Sequence, residues 1–161
     1  MAIYYDYVTA LFDEKSDLRI NNDNADNAGD LYKAMFKHAD KNIRIACDRL
    51  GAEVFDRQDV CDCIKGALDR GVRFQIAMAG MAQPSKSLTL LAATSKENPD
   101  QVIFYTGGGF TSNGKRVNFT VMDRSGYRYE RDASQPKAVA CANEPELAGR
   151  LCDIFDSAIV G

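Results

Sequence analysis

Histidine is nearly missing from this chain: His38 is the only one among 161 residues. That scarcity argues against histidine-built zinc sites. It also argues against serine–histidine hydrolysis, because no serine sits in a nucleophile-elbow pattern with a base to serve it. His38 falls on the apolar side of a helical stretch and reads as a packed or interface residue. Long hydrophobic runs are lacking too, and nothing approaches the roughly 20 residues that span a bilayer. The opening Met1-Ala2-Ile3-Tyr4-Tyr5-Asp6-Tyr7 has neither the basic start nor the apolar core of a signal peptide. Five cysteines form an odd set without framework spacing, which points to a reducing compartment and to small core residues. A cytoplasmic protein is expected. Repeats, linkers and low-complexity tracts are absent, so residues 1–161 read as one domain, with residues 1–24 as an N-terminal extension.

The composition is that of a globular protein, 45% hydrophobic and 27% charged. The net charge of −3 is unevenly spread. Residues 1–30 hold Asp6, Asp13, Glu14, Asp17, Asp23, Asp26 and Asp30 against Lys15 and Arg19. Residues 105–137 hold Lys115, Arg116, Arg124, Arg128, Arg131 and Lys137 against Asp123, Glu130 and Asp132. A basic segment on an acidic chain can draw a phosphate locally without conferring strong nonspecific nucleic-acid binding. A self-compensated, solvated surface is the alternative reading.

Periodicity orders the chain as α/β. Tyr4, Tyr7, Val8, Leu11 and Phe12 suit either a short amphipathic helix or, given the tyrosines, a β-arm. Asn21-Asn22-Asp23-Asn24 reads as a polar loop. Asp26 or Asn27 then caps a helix to about Asp40. Asn42–Cys47 alternates as a strand. Asp56 caps a helix from Arg57 to Arg70, closed by Gly71. Val72–Ala79 is a second strand, and strand–helix–strand at these lengths predicts parallel pairing near the sheet centre. A shorter helix runs from Pro84-Ser85 to Lys96, followed by a strand over Val102–Thr106. Tyr127–Arg131 and Lys137–Cys141 read as two more strands. In the last helix Asn143 is the cap, Pro145 lies in the first turn, Glu146 takes the capping-box position, and Leu147, Leu151, Ile154, Phe155 and Ala158 form the stripe.

The stretch Arg116–Asp123 organises the rest. Val117, Phe119 and Val121 alternate with Arg116, Asn118 and Thr120, giving a strand with one apolar and one polar face. Just before it, Gly109 to Arg116 approximates the G-x-x-x-x-G-K-[ST] phosphate loop, but Arg116 replaces the hydroxyl residue and a strand follows where a helix is needed. A glycine-rich hairpin fits better. The strand's spacing also matches His-x-Lys-x-x-x-x-Asp, with Arg116 in the histidine position, Asn118 in the lysine position and Asp123 retained.

Taken with the helix before Ile43–Cys47, the Ala67-Leu68-Asp69-Arg70-Gly71-Val72 phrase entering a strand, and Asn143-Glu144-Pro145-Glu146 opening the last helix, this order resembles the phospholipase D-like superfamily of phosphodiesterases and nucleases over roughly residues 27–160. The resemblance implies a single α/β domain, a mixed sheet with helices on both faces. It implies a homodimer as well, because single-motif members pair two sites. In that family the histidine attacks phosphorus and the lysines hold the phosphoryl oxygens. Arg116 is permanently protonated and cannot attack, and Asn118 offers hydrogen bonds without charge. The Gly-Ser that usually follows the aspartate is replaced by about Glu130-Arg131.

The resulting expectation is a catalytically inactive binding protein without cofactor or metal. It would recognise nucleic acid or another phosphate-bearing ligand through Arg116, Asn118, Asp123, Lys115 and Arg128. A protein–protein or inhibitory scaffold is the main alternative, with Arg116 merely paired to a neighbouring acid. A phosphodiesterase with a rebuilt site is third.

Overall fold

A computed structural model describes residues 2–80, 83–106, 109–135 and 137–160. The elements are α1 (Ala2–Asp13), β1 (Arg19–Asn22), α2 (Ala25–His38), β2 (Asn42–Cys47), α3 (Ala52–Phe55), α4 (Gln58–Asp69), β3 (Arg73–Met78) and α5 (Lys86–Glu97). They continue with β4 (Val102–Thr106), β5 (Phe110–Ser112), β6 (Lys115–Met122), β7 (Gly126–Glu130), β8 (Ala138–Cys141) and α6 (Pro145–Val160). The strands form an eight-stranded sheet in the order β1-β8-β7-β6-β2-β3-β4, with β5 joined to β6 alone. Helical crossovers make β2, β3 and β4 parallel. Short turns make β6, β7 and β8 antiparallel, and β6 closes the two halves by pairing antiparallel with β2.

Each face of the sheet has its own core. Ile43, Ile45, Phe74, Ile76 and Val102 pack with α1, α2, α4 and α5 residues such as Val8, Leu31, Phe36, Ile64 and Leu91. On the other face Val117, Phe119, Val121 and Tyr127 pack with Leu151, Cys152 and Phe155 of α6. Burying each such side chain contributes about 1.5–3 kcal/mol. Phe74, Gln75 and Ile76 are all buried in β3, as a strand covered on both faces requires.

Several local expectations are corrected. The segment 2–24 packs on the sheet and its helices: α1 buries Val8 and Phe12, and β1 forms a sheet edge against β8. Asn21 and Asn22 are in that strand, not a loop. Buried Asn22 satisfies its amide internally, with Nδ2 donating to the Tyr4 hydroxyl and the Asn27 carbonyl, and Oδ1 accepting from Arg128. The α2 cap is Asn24, whose extended backbone lets Oδ1 accept from Asn27 N–H at 2.8 Å. Asp56 does not cap α4. It ends the short helix α3 in an α conformation, and its carboxylate accepts from Lys86 N–H. Glu146 pairs with Arg150 one turn on instead of completing a capping box. Ile154 and Ala158 face outward, while Ala148, Leu151, Cys152 and Phe155 are buried. Gly71 adopts φ +89°, the left-handed value expected after α4.

Candidate nucleic-acid interface

The turn before β6 sets the site's geometry. Ser112 pairs with Lys115 across the two-residue turn Asn113-Gly114, whose φ values are 54° and 76°. That is hairpin chemistry, and it leads into a strand, so the segment is not a phosphate loop. Alternation along β6 then places Arg116, Asn118 and Thr120 on the α2 face, and Lys115, Val117 and Phe119 on the α6 face.

The α2 face opens into a pocket of about 590 Å³ at the carboxyl end of β2, lined by Cys47, Asp48, Arg49, Asn118, Arg128 and Glu130 among others. The amino-terminal end of α2 and the short helix α3 form its walls. Sites outside the carboxyl ends of strands, where the chain reverses its course through a sheet, are favoured ligand positions in open α/β folds. Charges within it are balanced. Asp48, Glu53 and Glu130 stand against Arg49 and Arg128, with Arg116 joined through Asp48.

The two arginines differ sharply. Arg128 is 6% exposed: Nε donates to Asn22 Oδ1 at 2.7 Å and Nη1 to Glu130 Oε1 at 2.7 Å, and the guanidinium lies over the Tyr32 ring. It is part of the frame. The Arg116 side chain is 45% exposed, and Nη1 donates to Asp48 Oδ1 at 2.8 Å; the Asp48 side chain is 39% exposed. Such half-solvated pairs contribute about 0–1 kcal/mol, so Arg116 is open to exchange with another anion. Asn118 Oδ1 accepts from the Asp48 N–H at 3.2 Å, and the Asp48 carbonyl accepts from Gly80 N–H at 2.7 Å.

Asn118 and Arg128 thus line one pocket, and Arg116 stands beside it, paired with pocket-lining Asp48. Lys115 and Asp123 lie elsewhere. Lys115 lies on the opposite face with Nζ 3.5 Å from Asp132. Asp123 stands at the far end of β6, where its carboxylate accepts from the N–H groups of Asp40, Lys41 and Asn42 at 3.0, 2.8 and 3.0 Å.

His38 ends α2, ten residues past pocket-lining Ala28, or about 15 Å along the helix. Its ring is tied to Asp13 and to the Ala34 carbonyl. Cys47, which sequence reasoning assigned to the core, lines the pocket. Burial pushes its thiol up to about 12, and Asp48 and Glu130 add to that, so it carries no thiolate near neutral pH. The pocket therefore offers a cation and amide and carboxylate hydrogen-bonding groups, but neither imidazole nor thiolate.

No protein-family model matches the sequence, and no curated protein does. Solved structures do match the fold. The phospholipase D family member Nuc from Salmonella typhimurium superposes with a TM-score of 0.57 at 17% identity, covering 87% of this chain and 92% of Nuc. The archaeal chromatin protein TrmBL2, whose structure shows a mode of DNA binding, superposes with a TM-score of 0.60 at 15% identity, covering 87% of this chain. The chain spans about half of TrmBL2, 51% of its length. The protein has a phospholipase D-like fold: an α/β domain with a mixed eight-stranded sheet and helices on both faces. No helix among the described residues is long and apolar enough to cross a membrane.

Proposed function

We propose that this protein is a non-catalytic, phospholipase D-like nucleic-acid-binding module that works as a homodimer and engages phosphate through Arg116. The observation that carries this reading is the exchangeable Arg116–Asp48 pair, set beside the pocket at the position where the resembling family keeps its nucleophile. A guanidinium suits bidentate phosphate contact and cannot act as a nucleophile. The DNA binding of TrmBL2, which shares the fold, supports nucleic acid over a small phosphate.

The test is binding of short labelled single- and double-stranded DNA and RNA at low and moderate salt, with Arg116→Ala alongside. Salt-sensitive binding that weakens about tenfold in the variant, without turnover of an activated phosphodiester, is expected, since one lost phosphate contact is worth about 1–2 kcal/mol. Absence of binding at low salt rejects the nucleic-acid reading. The balanced pocket, with Arg116 held by Asp48 and Arg128 by Glu130, favours a second reading, a protein-binding scaffold.

A further inference from the structure

We infer that Asp48 is a built-in competitor for the anion site: its carboxylate holds the Arg116 Nη1 donor and sets a negative charge beside the guanidinium, so it sets the affinity of Arg116 for phosphate ligands. This rests on the reading of Arg116 given above and adds the residue that governs it.

Three observations converge on Asp48. Its carboxylate is 2.8 Å from Arg116 Nη1, and both side chains are half in water, so the contact can open without exposing a buried group. Its backbone is fixed on both sides, by Asn118 Oδ1 on the N–H and by Gly80 N–H on the carbonyl. Arg116 is confined on another side: a β-carbon added at Gly109 would lie 2.9 Å from its Nε, leaving little room for the guanidinium to swing that way. A carboxylate on a fixed backbone therefore faces a guanidinium with restricted freedom. A phosphate that takes Nη1 displaces Asp48, and one that takes the Nε–Nη2 edge sits with the Asp48 negative charge a few ångströms away; either way the like charge opposes it.

Asn118 has a part in this arrangement besides the ligand contact its sequence position implies. Its amide oxygen accepts from the Asp48 N–H, so it positions the competitor, while its Nδ2 is the group that would donate to a ligand in the pocket. Two sequence-distant residues, Asp48 on the loop after β2 and Arg116 on β6, are joined by their ion pair, and Asn118 holds the Asp48 backbone beside it.

The experiment compares wild type, Asp48→Asn, Asp48→Ala, Arg116→Ala and the double variant Asp48→Asn/Arg116→Ala for binding to a labelled 5′-phosphorylated oligonucleotide, each first checked for native circular dichroism. Asp69→Asn, a change of equal charge on the exposed outer side of α4, controls for net charge. Asp48→Asn and Asp48→Ala are expected to bind about tenfold tighter, with the gain erased in the double variant and absent in Asp69→Asn. Binding by the Asp48 variants alone, with none by wild type, also supports the inference. Wild-type binding that depends on Arg116 but is unchanged or weakened by both Asp48 substitutions overturns the inference and leaves the nucleic-acid reading standing. An equal gain in Asp69→Asn overturns it as well. No binding by any variant overturns both.

Discussion

Removing the Asp123 carboxylate is expected to destabilise the fold while leaving the pocket chemistry alone. That carboxylate accepts three backbone N–H groups in the bend from α2 into β2, from Asp40, Lys41 and Asn42. The return bond from Asp123 N–H to the Asn42 carbonyl, 2.7 Å long, ties the same two segments. Hydrogen bonds to a charged group contribute about 1.5–3 kcal/mol each when sheltered, but these are partly solvated, and about 1 kcal/mol each is the better figure. Asp123→Ala thus loses about 3 kcal/mol of bonding. It also places alanine at φ 54°, which adds about 1 kcal/mol. Asp123→Gly escapes the second cost but not the first. Asp123→Asn tolerates the left-handed backbone and keeps an oxygen for Lys41 and Asn42, losing only the charge and the Asp40 contact, about 1–2 kcal/mol. The expected order of destabilisation is therefore Ala, then Gly, then Asn. Urea denaturation with an unchanged slope measures it. If Asp123→Ala comes within about 0.5 kcal/mol of wild type, or if a stable Asp123→Asn protein selectively loses ligand binding, the clamp assignment is wrong.

Cys47 is expected to resist alkylation in the folded protein near neutral pH, because its thiol is pushed up to about 12; mass spectrometry after iodoacetamide treatment, with and without urea, reads this, and rapid native labelling would contradict it. Asp59 is held well below the usual carboxylate range by Arg57 and secondarily by Lys33. Its folded value is depressed, so its contribution is complete above the unfolded value and is lost as pH falls below about 4. Asp59→Asn should accordingly be less stable at neutral pH and converge on wild type in acid. Because the carboxylate is nearly half exposed, the neutral-pH difference should stay within about 1 kcal/mol. Thermal melts of both proteins from pH 7 downward check the convergence.

The strands were legible because alternation reports a two-sided environment directly. Asn42–Cys47 and Val102–Thr106 coincide with β2 and β4, and the hairpin at Asn113-Gly114 follows from residues that tolerate positive φ. What failed was local capping and anything decided by distant partners. Asp56 looked like a cap for α4 because no pattern marks the four-residue helix Ala52–Phe55 that ends on it. Asn21-Asn22 looked like a loop because strand propensity does not know that Arg128, 106 residues beyond Asn22, supplies the hydrogen bond that lets an asparagine be buried. The site was legible in the same measure. Period two put Arg116 and Asn118 on one face, and it also put Lys115 on the other. Asp48 and Cys47 carried no signal, since their place in the pocket depends on β2 pairing with β6, a strand far along the chain.

The division of labour along β6 explains why a motif can keep its outline and change its chemistry. Of the three positions that resemble the phospholipase D signature, Asp123 is unchanged in type, and its carboxylate bonds only to backbone groups that any sequence would present there. It works for the fold. Asn118 lines the pocket and Arg116 stands beside it, and each is engaged with Asp48, Arg116 with its side chain and Asn118 with its backbone N–H. Changing those two positions leaves the core on either face of the sheet untouched, because Val117, Phe119 and Val121 pack toward α6 from the alternate positions. The fold therefore places few constraints on Arg116, while Asn118 is held to one backbone contact, the Asp48 N–H. A new ion pair at that point needs only a carboxylate within reach, and the loop after β2 supplies it. Stability and ligand chemistry should accordingly separate in mutants of this one strand: substitutions at 123 act on unfolding, and substitutions at 116 act on binding.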